Sequence, residues 1–178
     1  MHIPAEHVLK FLQDLPMLKD LTADDFNTLL DHLDLIQAEA EQGIFREGSA
    51  GENWYIVLDG SVSIQRRMPA GPDHELAMLS AGEGFGEMAL LDGAPRMATA
   101  IAVSATLLAR LTRTKFDALI AHHPALGSRL LRSISRVLCE RQRELTYILQ
   151  EMVDFQHVPA TSEEKALTEA LMRNATWH

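Results

Sequence analysis

The chain is poor in several things, and each shortage narrows what it can be. It holds one cysteine, Cys139, which excludes an internal disulfide framework and a cysteine-rich zinc site. Aromatic residues make up only 6%. No apolar run approaches the roughly 18 residues that a membrane-spanning helix needs. The N-terminal stretch carries Asp14 and Asp20 among its apolar residues, unlike a secretory leader. The expectation is a cytoplasmic protein without a membrane segment. Positive charge is scarce at the start: from Met1 to Gly60, twelve acidic residues stand against Lys10, Lys19 and Arg46. A net charge of −9 makes bulk nucleic-acid binding a poor fit.

What is present is an ordinary globular composition. Hydrophobic residues make up 47% and charged residues 23% of 178 positions, enough for one domain or one domain with a helical extension. From Arg110 to Arg143, eight basic residues face only Asp117 and Glu140. That stretch can complement the acidic N-terminal third or hold an anion.

Periodicity divides the chain. Val8, Leu9, Leu12 and Leu15 recur at helical spacing over Ala5–Leu15, and Pro16 interrupts them. Thr22 reads as an N-cap, with Asp24 and Asp25 in the first turn favouring the helix dipole. Phe26, Leu29, Leu30 and Leu33 form the next apolar face. From Leu35 the pattern changes to short strand-like runs. Asn53–Leu58 and Ser61–Gln65 flank Asp59-Gly60, which predicts a hairpin. Glu75–Leu79, Ala98–Val103 and Thr106–Leu111 add further strands, with a turn over 68–73. This spacing suggests a barrel or sandwich.

The last third returns to helix. Thr114 is the expected cap of a short helix ending at His122, and Pro124 starts the next. Leu131, Ile134, Leu138, Arg141, Leu145, Ile148 and Met152 follow heptad spacing. A helix of this length, roughly 45 Å at about 1.5 Å per residue, outruns a small barrel. A homodimer through Leu131, Ile134, Leu138, Leu145, Ile148 and Met152 is therefore expected; the alternative is that the seam packs on the barrel. Asp154–Ala160 reads as a linker, and a capping-box pattern at Thr161–Glu164 predicts a short final helix. Four segments result: residues 1–34, 35–113, 114–153 and 154–178.

One stretch carries chemistry. Gly82, Gly84 and Gly86 alternate before Glu87-Met88-Ala89-Leu90-Leu91. Glycines there permit unusual backbone angles and close ligand approach. A short helical turn over Glu87–Leu91 would present unpaired N–H groups to an anion. Arg96 follows nine positions after Glu87, behind Pro95, and a guanidinium can grip a phosphate with two parallel hydrogen bonds. Glu87 offers an acceptor for a sugar hydroxyl. Phosphate, sugar and apolar strand surface together describe a nucleotide monophosphate site.

These residues resemble the phosphate-binding cassette of cyclic nucleotide-binding domains. The resemblance rests on Phe85-Gly86-Glu87-Met88-Ala89-Leu90 and Pro95-Arg96-Met97-Ala98-Thr99. Ile44-Phe45-Arg46-Glu47-Gly48 and Tyr55–Val62 look like the family's early strands, and the likeness runs from about Leu9 to Met152. It implies a mixed α and β fold: a double-stranded β-helix, or jelly-roll barrel, of eight strands, with flanking N-terminal helices and a long C-terminal helix. It also implies that Arg96 pairs with the cyclic phosphate and that Glu87 accepts from the ribose 2′-hydroxyl. Backbone groups around Gly86, Met88, Ala89, Met97 and Ala98 would complete the cradle. Arg141 and Gln142 fall near the family's purine-contacting positions. The implied ligand is a cyclic purine nucleotide, cAMP before cGMP. Met97 departs from the family's usual Ser, Thr or Ala, and its thioether is only a weak acceptor.

Other residue types point away from catalysis. The eight histidines show no metal-ligand spacing, so no metal, cofactor or enzymatic activity is expected. Cys139, inside the long helix, is expected to be a buried structural thiol. The stretch after Met152 is short for a helix-turn-helix module, so no specific DNA binding is expected. Two readings compete: a nucleotide sensor signalling through its C-terminal helices, and a ligand-free dimerising module that captures an unidentified protein partner. In the second, Ala166, Leu167, Ala170 and Leu171 form the docking face.

Overall fold

The computed structural model describes residues 4–68 and 71–155, with side chains through residue 150. The chain opens with α1 (Ala5–Gln13), which buries Val8 and Leu12. It stops short of Leu15 because that residue is extended, with ψ 121°, before the 3-10 turn Pro16–Leu18, as the steric demand of a following proline requires. Next comes α2 (Ala23–His32). Its capping box is complete: the Thr22 hydroxyl accepts the Asp25 N–H at 3.3 Å, and Asp25 Oδ2 accepts the Thr22 N–H at 2.7 Å.

Eight strands follow: β1 (Asp34–Ala38), β2 (Gly43–Phe45), β3 (Asn53–Asp59), β4 (Ser61–Arg66), β5 (His74–Ser80), β6 (Gly84–Phe85), β7 (Thr99–Ala102) and β8 (Thr106–Thr112). They form two four-stranded antiparallel sheets, ordered β1-β8-β3-β6 and β2-β7-β4-β5. Tyr55, Val57, Phe85 and Leu108 of the first sheet share a core with Val62, Leu79 and Ala100 of the second. The expected jelly-roll barrel is thus an open one, a pair of facing sheets.

The Asp59-Gly60 turn is not a hairpin. β3 pairs with β8 and β6, whereas β4 pairs with β5 and β7, so Gly60 is a corner between sheets. Its φ is +88°, and an added Cβ would lie 2.6 Å from Thr106 Oγ1. Burial explains the difference from the sequence reading. Trp54 through Leu58 are all buried, so β3 needs cover on both faces and a hairpin partner alone would not supply it.

Two helices close the described chain. α4 (Arg113–His122) is capped by Thr112, not Thr114: the Thr112 hydroxyl accepts the Lys115 N–H at 3.3 Å. α5 (Pro124–Phe155) begins at Pro124 as expected. The described chain divides into two compact units, one ending at Arg136 and the other beginning at Val137. That boundary splits the expected heptad seam. Ile134 belongs to the core of the first unit, with Leu130 and Leu126 one and two turns before it. Leu131 and Leu138 are half-buried, while Leu145 and Ile148 are exposed. Cys139 is also exposed, which corrects the expectation of a buried thiol: it follows Leu138 on the next, solvent-facing position of the helix. α5 runs on through Asp154 and Phe155, the first two residues of the expected linker; the rest of that linker, the expected final helix and the side chain of Met152 lie outside the described residues.

The basic stretch does neutralise the acidic start. Arg110 and Lys115 both bond Asp34, at 3.0 and 2.5 Å. Arg129 grips Asp25 with two bonds of 2.7 Å, and Arg136 pairs with Asp20. Each pair ties a residue of the first 34 positions to β8, α4 or α5.

Candidate functional site

The glycine-rich segment folds into a tight strand–turn–helix. β6 ends at Phe85, and Gly86 takes a left-handed conformation, φ +81°, as N-cap of α3 (Glu87–Asp92). Gly93 ends that helix with φ +73°. At Gly86 the absence of a side chain serves twice. The backbone angle suits glycine, and a Cβ would sit 2.6 Å from Arg96 Nη1 and 3.0 Å from the Asn53 carbonyl oxygen.

Arg96 is folded inward and is only 4% exposed. Nη1 donates to the Gly86 carbonyl and Nη2 to the Asn53 carbonyl, each at 2.7 Å. Its guanidinium carbon lies 4.1 Å from the ring centroid of Phe45. Nε is buried and donates to no described acceptor. Burial pushes the Arg96 pKa down, and the fields of Tyr55 and Glu87 push back. An arginine begins so high that it stays cationic at neutral pH. The result is a buried, pre-oriented cation, held by neutral carbonyls, with one unmatched N–H.

The cassette is anchored from outside as well. Gly51 packs so closely that a Cβ there would lie 2.0 Å from the Ala89 Cβ. Arg113, the first residue of α4, donates to the Ala89 carbonyl at 2.5 Å and to the Gly51 carbonyl at 3.3 Å. The Gly48 N–H bonds the Arg96 carbonyl, and the Arg96 N–H bonds the Ser49 carbonyl. A groove of about 490 Å³ opens beside this segment, lined by Arg46, Glu47, Gly48, Arg67, Asp73 and Thr99. Arg96 does not line it.

The structure joins Arg96 to Gly86 by a hydrogen bond of 2.7 Å, with Glu87 and Ala89 buried on the helix that Gly86 caps; Ala98 is buried two residues beyond Arg96. Met88 and Met97 are 45% and 63% exposed. Arg141 and Gln142 lie on α5 in the second compact unit; Arg141 is half-buried and Gln142 exposed. Sequence reasoning missed Phe45, Gly51, Asn53 and Arg113. Asn53 acts through its carbonyl, which leaves no trace in residue type. Gly51 and Arg113 act at separations of 38 and 24 residues from Ala89, beyond local pattern reading.

Among the described residues no group of three or more His, Cys, Asp or Glu side chains is placed to hold a metal ion. None of their helices is long and apolar enough to cross a membrane.

A strand–glycine–helix turn with an inward arginine ten residues on defines a class, and comparison with known proteins agrees. Residues 35–123 match the model of the cyclic nucleotide-binding domain, and the chain belongs to that family. A cAMP-dependent protein kinase regulatory subunit of Mycosarcoma maydis is 32% identical over 78% of this chain and 25% of its own length. The cyclic AMP receptor protein of Thermus thermophilus is 34% identical over 73% of this chain and 60% of its own. The crystal structure of a cyclic nucleotide-binding domain from Methylobacillus flagellatus superposes with a TM-score of 0.73 at 27% identity, covering 83% of both chains. The chain thus spans a quarter to three-fifths of the two regulatory relatives.

Proposed function

We propose that this chain is a non-catalytic sensor of a cyclic purine nucleotide, cAMP before cGMP, acting in the cytoplasm through its C-terminal helices. One observation carries the reading: a buried cation at Arg96 whose Nη groups are fixed on carbonyls while Nε has no acceptor. A phosphate diester oxygen meets that N–H and the charge together. In this reading Glu87 accepts from the ribose, and the N–H groups of Met88, Ala89, Met97 and Ala98 surround the phosphate. Arg141 and Gln142 are kept as candidate purine contacts, as the family resemblance implies. The pairing of the first strand with the last supports the jelly-roll reading, and the four-segment division read from the sequence is kept with it.

Arg113 gives a route for the signal. It joins the cassette helix α3 to α4 through the Ala89 carbonyl, so a shift of α3 on binding is felt at the helices that follow. For this to work, the nucleotide must bind one helix arrangement better than another.

The experiment is a calorimetric titration of nucleotide-stripped protein with cAMP and with cGMP, beside Arg96→Ala. The substitution removes charge-assisted bonds worth about 1.5–3 kcal/mol, or roughly 10- to 150-fold in affinity. Wild-type affinity in the variant would remove Arg96 from this role.

A second reading has its own observation. Met97 stands 63% exposed where the family places Ser, Thr or Ala, and Leu145, Ile148 and Leu149 are exposed on α5. A module without ligand that dimerises through the long helix, or captures a protein partner, fits those two facts. Sedimentation of wild type against Ile148→Asp tests the helix dimer. A wild-type dimer that becomes monomeric in the variant supports it; two monomers, or two equally stable dimers, remove it.

A further inference from the structure

We propose that Phe45 is the positioning residue for the cassette arginine, a cation–π platform that fixes the tilt of the Arg96 guanidinium and with it the direction of its buried Nε–H. The inference rests on the sensor reading for its functional consequence, but its geometry stands alone. Two carbonyls, Gly86 and Asn53, hold the Nη edge. Two hydrogen bonds to one edge do not define the tilt of the plane, because each tolerates a broad range of acceptor angles. The Phe45 ring, 4.1 Å from the guanidinium carbon, supplies the missing restraint from the face.

Phe45 is itself held. Its ring lies 6.0 Å from Tyr55 and 5.9 Å from Phe85, and those two stack on each other at 5.1 Å. It packs, partly buried, against the core cluster shared by the two sheets. An aromatic side chain has few torsions and little freedom once packed this way. Its negative π face attracts a cation, and the attraction strengthens where water is excluded. Arg96 is such a cation. A leucine in place of Phe45 fills much of the space without a π face, so it separates packing from charge.

The experiment uses the full chain, with Phe45→Leu and Phe45→Trp. Affinity is measured for cAMP and for adenosine, which lacks the phosphate. In parallel, the Arg96 Nε–H signal is followed by NMR in nucleotide-free protein, identified by its loss in Arg96→Lys. Expected for Phe45→Leu is a loss of about 5- to 30-fold in cAMP affinity, no change for adenosine, and a broadened, faster-exchanging Nε–H signal. Phe45→Trp should restore both. An unchanged Nε–H signal and unchanged cAMP affinity in Phe45→Leu would overturn the proposal. So would equal losses for cAMP and adenosine with the signal intact, since that pattern reports a distorted fold. If wild type binds no cyclic nucleotide, the sensor reading fails, and the NMR comparison alone decides on Phe45.

Discussion

Two arginines of this molecule have nearly the same local geometry and opposite consequences. Arg129, on α5, grips Asp25 with two bonds of 2.7 Å. Arg96, beside the cassette helix, makes two bonds of the same length to the carbonyls of Gly86 and Asn53. The hydrogen bond to Asp25, opposed by desolvation, raises the Arg129 pKa. Burial lowers that of Arg96. A carboxylate cancels the charge it binds, whereas a carbonyl only orients it. Arg129 is therefore a finished contact between helices, whereas Arg96 is a buried cation held by carbonyl dipoles, with only the fields of Tyr55 and Glu87 to offset its burial. Counting hydrogen bonds would rank them as equals; the charge of the acceptor distinguishes a staple from a site.

The comparison is broken most sharply by exchanging the roles. Arg96→Ala should weaken cyclic nucleotide binding by about 10- to 150-fold and leave the thermal midpoint near wild type, because it also removes the burial cost of a charge. Arg129→Ala should do the reverse: a lowered midpoint in a thermal scan and unchanged calorimetric affinity. Two variants that both lost binding, or both lost only stability, would dissolve the distinction.

Gly51→Ala tests the packing behind Arg96. Its Cβ would overlap that of Ala89 at 2.0 Å, and overpacking of this kind costs about 1–3 kcal/mol. Denaturant unfolding should show the loss, accompanied by weaker nucleotide binding as α3 is displaced. Met97→Ser is expected to act in the opposite direction. One added hydroxyl bond, about 0.5–1.5 kcal/mol, corresponds to roughly 2- to 13-fold tighter binding; no gain would show that Met97 does not face the ligand. On the helical side, Thr22→Ala removes half of the capping box and should cost about 1 kcal/mol, read as a lower denaturation midpoint with no change in affinity.

The smallest and broadest effect is on pH. Asp34 is held below its usual value of 3.8 by the Lys115 hydrogen bond, opposed by burial and helped by Arg110. Burial would push Asp25 up, but the Arg129 and Thr22 bonds outweigh it and hold it below 3.8 as well. Groups lowered in the folded state bind fewer protons there than in the unfolded chain. Their contribution is complete above about pH 4 and is lost as pH falls through the folded values. Acid unfolding of Asp25→Asn should show a shallower dependence below pH 4 than wild type. An identical dependence would mean that the pair does not contribute to acid sensitivity.

Some of this was legible in the residues and some was not, for definable reasons. Thr22 as a cap, Pro124 as a helix start and Gly86 before a short helix all depend on partners within a few positions. The same local logic misled at Asp59-Gly60, where a turn-forming pair joins strands of different sheets, and at Thr114, where Thr112 two positions earlier takes the cap. At Cys139 and Ile134 the spacing encodes a helix, but the side each residue faces depends on what the helix meets.

The family, the succession from helices to short strands and back to helix, and a glycine turn followed by an arginine are all encoded along the chain, because each follows from residue types at short spacing. Only the tertiary structure decided that Arg96 rests on Phe45 between the carbonyls of Gly86 and Asn53, and that Arg113 reaches back to the cassette helix. Those contacts join residues up to 51 positions apart, and backbone carbonyls and ring faces carry them. Neither leaves a pattern along the chain, since both arise only when the strands and the turn are packed together.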